Sequence, residues 1–311
     1  MIMVTGGAGF IGSSFSREVK KPVIFDLLTY AGRLENLIGV DHIFVKGDIR
    51  NYSQLEDIVK KYDIKIIVNF SAETHVDRSI NNAHIFLDTN VSGVVNLLEI
   101  CRRYDTRLVQ ISTDEVYGEQ ENATEDFPLR PSSPYSASKA SADMFILAYV
   151  RTYGVDAIII RPSNNYGPRQ HIEKLIPKTI VRTLLGLEIP IYGKGDQERD
   201  WIYVEDTAKV IAQLVETGKK GEIYNVPGGQ RITNIKLVEM IGELMGKKLK
   251  IKFVKDRPGH DKKYSMISTK LSYKVTPLKE GLSKTIKWYL ENEWWWRPLL
   301  NDEYFLREAQ W

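Results

Sequence analysis

Thr5-Gly6-Gly7-Ala8-Gly9-Phe10-Ile11-Gly12 is the stretch that decides the fold. It follows the apolar run Ile2-Met3-Val4 and opens a helical pattern over Phe10–Lys20. Glycines at 6, 9 and 12 suit a tight turn, a close backbone approach to a pyrophosphate, and close helix–strand packing. The start of the helix then offers free N–H groups and a partial positive charge to the phosphates. A glycine pattern alone is equally a flexible turn, so its context has to decide. Asp26 stands twenty residues after Gly6, just past a second apolar run. A carboxylate there accepts bonds from the adenosine ribose hydroxyls and repels a 2′-phosphate, which points to NAD rather than NADP.

Outward from this loop, short runs rich in Val, Ile or Phe alternate with helical patterns. The runs are Ile2–Val4, Val23–Phe25, Ile43–Val45, Ile66–Phe70, Leu108–Ile111 and Ala157–Ile160. Between them lie candidate helices at Phe10–Lys20, Ser53–Tyr62, Ile85–Tyr104 and Ser136–Tyr153. Strands apolar on both faces that alternate with helices predict a parallel sheet covered on both sides. The fold class is therefore α/β, a Rossmann-type doubly wound parallel sheet with a smaller, discontinuous substrate-binding lobe. Residues 1–160, joined by roughly 204–226 with its strand Ile223–Val226, form the NAD-binding domain. Residues 161–203 and 227–311 form the second lobe, with turn-rich loops at Arg161–Arg169 and Tyr192–Arg199 and a helix at Asn234–Met245. The aromatic tail Trp294-Trp295-Trp296 is expected to pack against the body.

Composition narrows the function classes. The 311 residues carry 43 Lys+Arg against 40 Asp+Glu, a net charge of +3, which gives no nucleic-acid footprint. A chain that is 43% hydrophobic is not mainly disordered. Cys101 is the only cysteine, and no Cys/His cluster has zinc-ligand spacing, so no metal is expected. No apolar run approaches the roughly 20 residues that span a bilayer. The N-terminus enters a strand without a signal-peptide pattern, so a soluble, cytoplasmic protein is expected.

Tyr135 and Lys139 stand four apart at the start of a helical stretch, so both side chains share one face. A nearby ammonium stabilises phenolate, making the tyrosine a base towards a sugar hydroxyl. In isolation the pair reads equally as a solvated helix face; behind a nucleotide-binding fold it becomes specific. Upstream, the fifth strand ends in Ser112-Thr113-Asp114-Glu115-Val116-Tyr117-Gly118. Open α/β sheets place ligands at such strand ends. Two carboxylates there serve as acid and base when their surroundings push their pKa values apart; otherwise they are a solvated turn or an N-cap.

These motifs, with DLLTYAG (26–32), GDI (47–49), AETHVDRSI (72–80), RPSNNYGP (161–168), EKLIP (173–177), RDWIYV (199–204) and DRPGHD (256–261), resemble the extended short-chain dehydrogenase/reductases over essentially the full length. Among them the chain is similar to the dTDP-glucose 4,6-dehydratase family. The Thr-Asp-Glu triplet discriminates, because sugar-nucleotide 4-epimerases lack the Asp-Glu pair and the decarboxylases generally keep only an acid at the second place.

The resemblance implies a cofactor, a reaction and a set of residues. NAD would lie among Gly6, Gly9, Phe10, Ile11, Gly12, Asp26, Asp48, Ile49, Ser71, Ala72, Tyr135 and Lys139. Tyr135 would take the C4 hydroxyl proton of dTDP-glucose as hydride leaves C4, with Thr113 bonding the substrate nearby. Glu115 would remove the C5 proton while protonated Asp114 helps the C6 hydroxyl leave, and hydride returns to C6. The product is dTDP-4-keto-6-deoxyglucose, a precursor of rhamnose and other deoxysugars. Asn164, Arg199, Asn234, Arg257 and His260 would face the diphosphate and ribose, and Lys174, Leu175, Pro190 and Tyr192 the pyrimidine. A homodimer would pair helices near Ile85–Tyr104 and Ser136–Tyr153, using Val94-Val95, Leu97-Leu98, Met144-Phe145 and Leu147. Alternatives are a UDP-sugar 4-epimerase, a decarboxylase, a 4,6-dehydratase for another nucleotide sugar, or a non-catalytic NAD-binding protein. Arg169-Gln170-His171-Ile172 and Lys262-Lys263 depart from the family pattern on the substrate side. His75 and Asp77 take no chemical step, and a structural role is expected for them.

Overall fold

The computed structural model describes residues 1–307. Its strands are β1 (Ile2–Thr5), β2 (Val23–Asp26), β3 (Ile43–Lys46), β4 (Ile66–Asn69), β5 (Arg107–Ile111), β6 (Ala157–Pro162), β7 (Asn164–Tyr166), β8 (Ile189–Tyr192), β9 (Glu198–Tyr203), β10 (Ile223–Val226), β11 (Arg231–Thr233) and β12 (Ile251–Val254). Seven of them form one sheet in the order β10-β6-β5-β4-β1-β2-β3, and every pairing is parallel. All the apolar runs read from the sequence are in this sheet. The chain winds one way from β1 to β3, then crosses over and winds the other way from β4. The reversal lies between β1 and β4, where an open parallel sheet leaves a crevice at its strand ends.

Each face of the sheet is covered, which is why the strands are apolar on both sides. Met3, Val23, Ile67, Leu108 and Ile159 face helices Tyr52–Tyr62, Gly93–Tyr104 and Pro134–Tyr153. Val4, Ile24, Val68, Val109 and Ile160 face the opposite layer, which includes Phe15, Ile211 and Leu214. A separate core gathers Tyr166, Trp201, Leu237, Tyr289, Trp295 and Trp296. Around it lie β7, β9 and β11, with β8 paired to β12 nearby. Within the tail, Trp295 Nε1 donates to Asn36 Oδ1 at 2.8 Å and Arg33 donates to the Trp295 carbonyl at 2.7 Å, which fastens the second lobe to the first.

Three of the expected helices differ from the sequence pattern. The first runs only from Phe10 to Phe15. Ser16 Oγ donates to the Gly12 carbonyl and the Arg17 guanidinium to the Ser13 carbonyl, satisfying the acceptors that a longer helix would use. The pattern over Ile85–Tyr104 is also interrupted. A helix over Ala83–Leu87 passes through a π turn at Asp88–Ser92 into a second helix over Gly93–Tyr104. The wider turn sets Asn90 inward, where it bonds both the Glu73 N–H and C=O and the Ser138 hydroxyl. The helix Pro134–Tyr153 begins two residues before its pattern, at a capping box between Ser133 and Ser136. Among the described residues, no helix is long and apolar enough to cross a membrane.

Candidate active site

Gly6 follows β1 at φ +66°, and a Cβ there would stand 2.5 Å from the Ser71 nitrogen, which follows β4. A Cβ on Gly12 would stand 2.4 Å from the Gly6 carbonyl oxygen. Only bare backbone fits this turn. Asp26 closes it from the side: its carboxylate accepts the Ala8 N–H at 2.9 Å and the Leu28 N–H at 2.8 Å. Burial raises the Asp26 pKa, and these two backbone bonds act against that rise. A glycine turn with a fastened carboxylate beside it fits the phosphates and ribose of a dinucleotide.

Beneath the crevice runs a buried polar ladder that sequence reading missed. Thr5 Oγ1 donates to Asn69 Oδ1 at 2.5 Å, and Asn69 Nδ2 donates to Gln110 Oε1 at 2.8 Å. Asn69 Oδ1 also receives the Ser71 N–H at 3.1 Å, fixing the strand end against which Gly6 packs. The signal was present, since each is a polar residue at or next to the end of an apolar strand.

At the end of β5, Thr113 caps a single 3₁₀ turn over Asp114–Tyr117. Its hydroxyl receives the Glu115 N–H at 3.3 Å and donates to Asp114 Oδ1 at 3.2 Å, and it lines the same cavity as Tyr135. Asp114 is buried, and its other carboxylate oxygen has no partner. Burial, then the charges of Glu115 and Asp200, push its pKa well above the usual carboxylate range. Burial also raises Glu115, but Arg257 and Arg199 pull it back towards the ionised form. Both neighbouring carboxylates are thus pushed upward by burial, Asp114 further by the charges of Glu115 and Asp200, while guanidinium groups oppose the rise of Glu115.

Tyr135 and Lys139 share one helix face, as their spacing requires. Their electrostatics differ from the expectation. Lys139 Nζ donates to the Ile111 carbonyl at 2.6 Å, and burial pulls its pKa down to about 8. Burial and the charge of Glu115 push Tyr135 upward rather than down. Without an added positive charge, the buried site keeps Tyr135 as a phenol.

One cavity of about 350 Å³ is lined by Gly6, Gly9, Phe10, Ile11, Gly12, Asp26, Asp48, Ile49, Ser71, Ala72, Tyr135, Lys139 and the Thr113–Glu115 turn. It therefore gathers every residue expected at the cofactor and every one expected in the chemistry. A second, of about 230 Å³, is lined by Asn164, Lys174, Leu175, Pro190, Tyr192, Arg199, Asn234, Arg257 and His260, all expected at the substrate. Glu115, Asn164 and Lys174 line both, so the two spaces meet at the carboxylates. Arg199 is held by the Asp261 carbonyl at 2.8 Å and lies over the Tyr264 ring, 4.2 Å from its centroid. His260 is bonded to Asp256 at 2.6 Å, and burial followed by the Arg257 charge pulls it down to about 4.

Other residues at this junction were not read from the sequence. Arg78 donates to Glu173 at 3.1 Å and Asp302 at 3.3 Å, its guanidinium lying against the Tyr30 and Tyr304 rings. His171 lies beside the same two carboxylates, with metal-capable atoms of all three within 4.8 Å. Arg78 already supplies the positive charge there. Tyr304, from the end of the described chain, lines the second cavity against His75.

Residues 3–276 match the family described as GDP-mannose 4,6 dehydratase. The chain is 44% identical over 309 residues to the low-salt glycan biosynthesis protein Agl12 of Haloferax volcanii, covering 94% of this chain and 99% of that one. It is 40% identical to a dTDP-glucose 4,6-dehydratase of Streptomyces niveus, covering 97% and 96%. The crystal structure of DesIV, a dTDP-glucose 4,6-dehydratase from Streptomyces venezuelae with NAD and TYD bound, superposes with a TM-score of 0.92 at 41% identity, covering 96% and 99%.

Proposed function

Since the chain belongs to the GDP-mannose 4,6 dehydratase family, we propose that it is a hydro-lyase converting dTDP-glucose to dTDP-4-keto-6-deoxyglucose with NAD. The observation that carries this reading is the Asp114–Glu115 turn lining one cavity with Tyr135, with Asp114 buried and its pKa pushed upward by burial. An epimerase needs no acid to expel a hydroxyl; a dehydratase does. The glycine turn, Asp26, Asp48 and Ser71 would hold NAD. When bound, NAD would accept hydride from C4 and give it back at C6, and its positive charge would favour the phenolate form of Tyr135, which burial alone disfavours.

The chain's own groups move the protons. Tyr135 Oη, as phenolate, takes the C4 hydroxyl proton, with Thr113 lining the same cavity to bond the substrate nearby. Oxidation at C4 acidifies the C5 proton, which Glu115 removes and later replaces at C5 as hydride returns to C6. Asp114 delivers its proton to the departing C6 hydroxyl, so water leaves with balanced charge. The Arg199 and Arg257 guanidinium groups match a diphosphate in charge and in their planar donors. Incubating the chain with NAD and dTDP-, UDP- and CDP-glucose or GDP-mannose, with product mass as readout, tests the reading. Loss of water from dTDP-glucose supports it, and an isomer of unchanged mass overturns it.

Three further readings accompany this one. The product class feeds deoxysugar biosynthesis, rhamnose included, and a cytoplasmic location suits a soluble nucleotide and NAD. The chain also forms a homodimer through the exposed faces of the helices ending at Leu87 and containing Met144 and Phe145, each of these side chains about half exposed. Val94, Leu97 and Leu98, expected at that interface, are instead buried in the protomer's own core, because they point at the sheet. Sedimentation at micromolar concentration tests the dimer; a monomer overturns it.

A further inference from the structure

Asp77 enters no step above, yet two polar side chains of the substrate cavity end on it. It lies on the short helix Val76–Asn81 of the first lobe and is 5% exposed. Its Oδ2 accepts the Tyr192 hydroxyl from β8 at 2.8 Å. Its Oδ1 accepts Arg257 Nη1, from the loop after β12, at 2.9 Å. All three residues line the same cavity, and both donors belong to the other lobe.

The two donors are left in defined states. Burial lowers the Arg257 pKa, but the charges of Asp77 and Glu115 more than offset it, so the guanidinium stays charged. Burial and the Asp77 charge push Tyr192 upward, so it stays a phenol donating to Asp77. One edge of Arg257 is thereby fixed, while its Nε is buried with no partner in the protein. A buried guanidinium N–H without an acceptor costs free energy that an anionic ligand oxygen would recover.

Resting on the proposed function, the geometry assigns Asp77 as a positioning residue that presets Arg257 and Tyr192 for the nucleoside diphosphate and joins the two lobes across its cavity. Arginine and tyrosine both lose rotamer freedom when they hold a ligand. Side chains already fixed lose less at the moment of binding. A carboxylate serving no such purpose would simply repel a diphosphate, so removing its charge would tighten binding. The two accounts differ in sign.

Asp77→Asn keeps the volume and offers one acceptor oxygen in place of two. The variant should bind dTDP roughly tenfold more weakly, the weight of one charged hydrogen bond. KM for dTDP-glucose should rise by a similar factor with kcat within about twofold, because the preset donors hold substrate and transition state alike. NAD affinity should stay as in the wild type. Adding Tyr192→Phe to Asp77→Asn should weaken dTDP less than the two single effects combined, because both act on one hydrogen bond. Equal or tighter dTDP binding by Asp77→Asn, additive effects, or a parallel fall in NAD affinity overturns the inference. Should Asp77→Asn not fold, Tyr192→Phe alone decides, since dTDP binding as tight as in the wild type also overturns it. A wild-type chain that binds no dTDP overturns the proposed function and this inference with it.

Discussion

Arg161 and Asp143 meet at 2.9 Å with neither side chain exposed, joining the strand β6 to the helix that carries Tyr135 and Lys139. Asp143 stands one turn beyond Lys139 and also receives the Ser112 hydroxyl at 3.0 Å. Arg161 donates on to the Tyr117 hydroxyl at 2.7 Å, and Tyr117 donates to Asn225 at 2.8 Å. Tyr117 closes the turn that carries Asp114 and Glu115. One buried network therefore ties the tyrosine–lysine helix to the carboxylate turn.

Removing one partner of such a pair leaves the other charge buried and unpaired. Asp143→Ala should therefore destabilise the chain by about 3–5 kcal/mol, read as a lower urea midpoint. A loss under about 1 kcal/mol, the range of surface pairs, would show that solvent reaches Arg161.

Asp26→Ala should weaken NAD by roughly tenfold or more, since a charged acceptor is lost. It should weaken NADP less, because repulsion of the 2′-phosphate goes with it. Titrating both nucleotides into wild type and variant checks the ratio. If the wild type already binds NADP as tightly as NAD, Asp26 is only the clasp of the glycine turn.

Much of this architecture was legible in the chain. The strands could be read because both their faces are buried, so that Ala157–Ile160 carries no polar residue at all. Tyr135, Lys139 and the Thr-Asp-Glu turn could be read because each is a local spacing. What escaped depends on distant partners. Asp77 acts through Tyr192 and Arg257, which lie 115 and 180 residues away. The break at Asp88–Ser92 follows Asn90's bonds to Glu73 and Ser138, which no helical period encodes. The upward push on Tyr135 comes from burial, which is set by packing rather than by its four-residue distance from Lys139.

Lys178 gives a pH dependence with a definite sign. It donates to the Tyr304 carbonyl at 2.6 Å, and burial followed by the Arg182 charge lowers its pKa to about 8. In the unfolded chain it keeps its proton up to the ordinary value of 10.5. Between these values the unfolded chain binds more protons, so stability rises with pH through that window; below it the full cost of the buried charge is present. The stability of wild type relative to Lys178→Met, from urea unfolding at about pH 7.5 and 9.5, should therefore increase with pH. A difference independent of pH would show that Lys178 titrates as an exposed lysine does.

The two halves of the proposed reaction can be separated by substitution. Tyr135 and Lys139 serve oxidation at C4, whereas Asp114 and Glu115 serve elimination across C5 and C6. Asp114→Asn combined with Glu115→Gln keeps side-chain volume and leaves the Tyr135–Lys139 face intact. Losing acid–base assistance costs roughly 10²–10⁴-fold for each proton transfer. After mixing with dTDP-glucose and NAD, the double variant should develop the absorbance of reduced nicotinamide while forming little 6-deoxy product. Tyr135→Phe should do the opposite and show almost no reduced nicotinamide. The wild type in deuterated water should place deuterium at C5, where a proton has been removed and replaced. Asp114, buried with an unpartnered oxygen and its pKa pushed upward by burial, is the group whose loss this experiment reads most directly. If the carboxylate variant makes product at the wild-type rate, the Asp114–Glu115 pair is only a polar turn, and elimination has to draw its acid from elsewhere in the cavity.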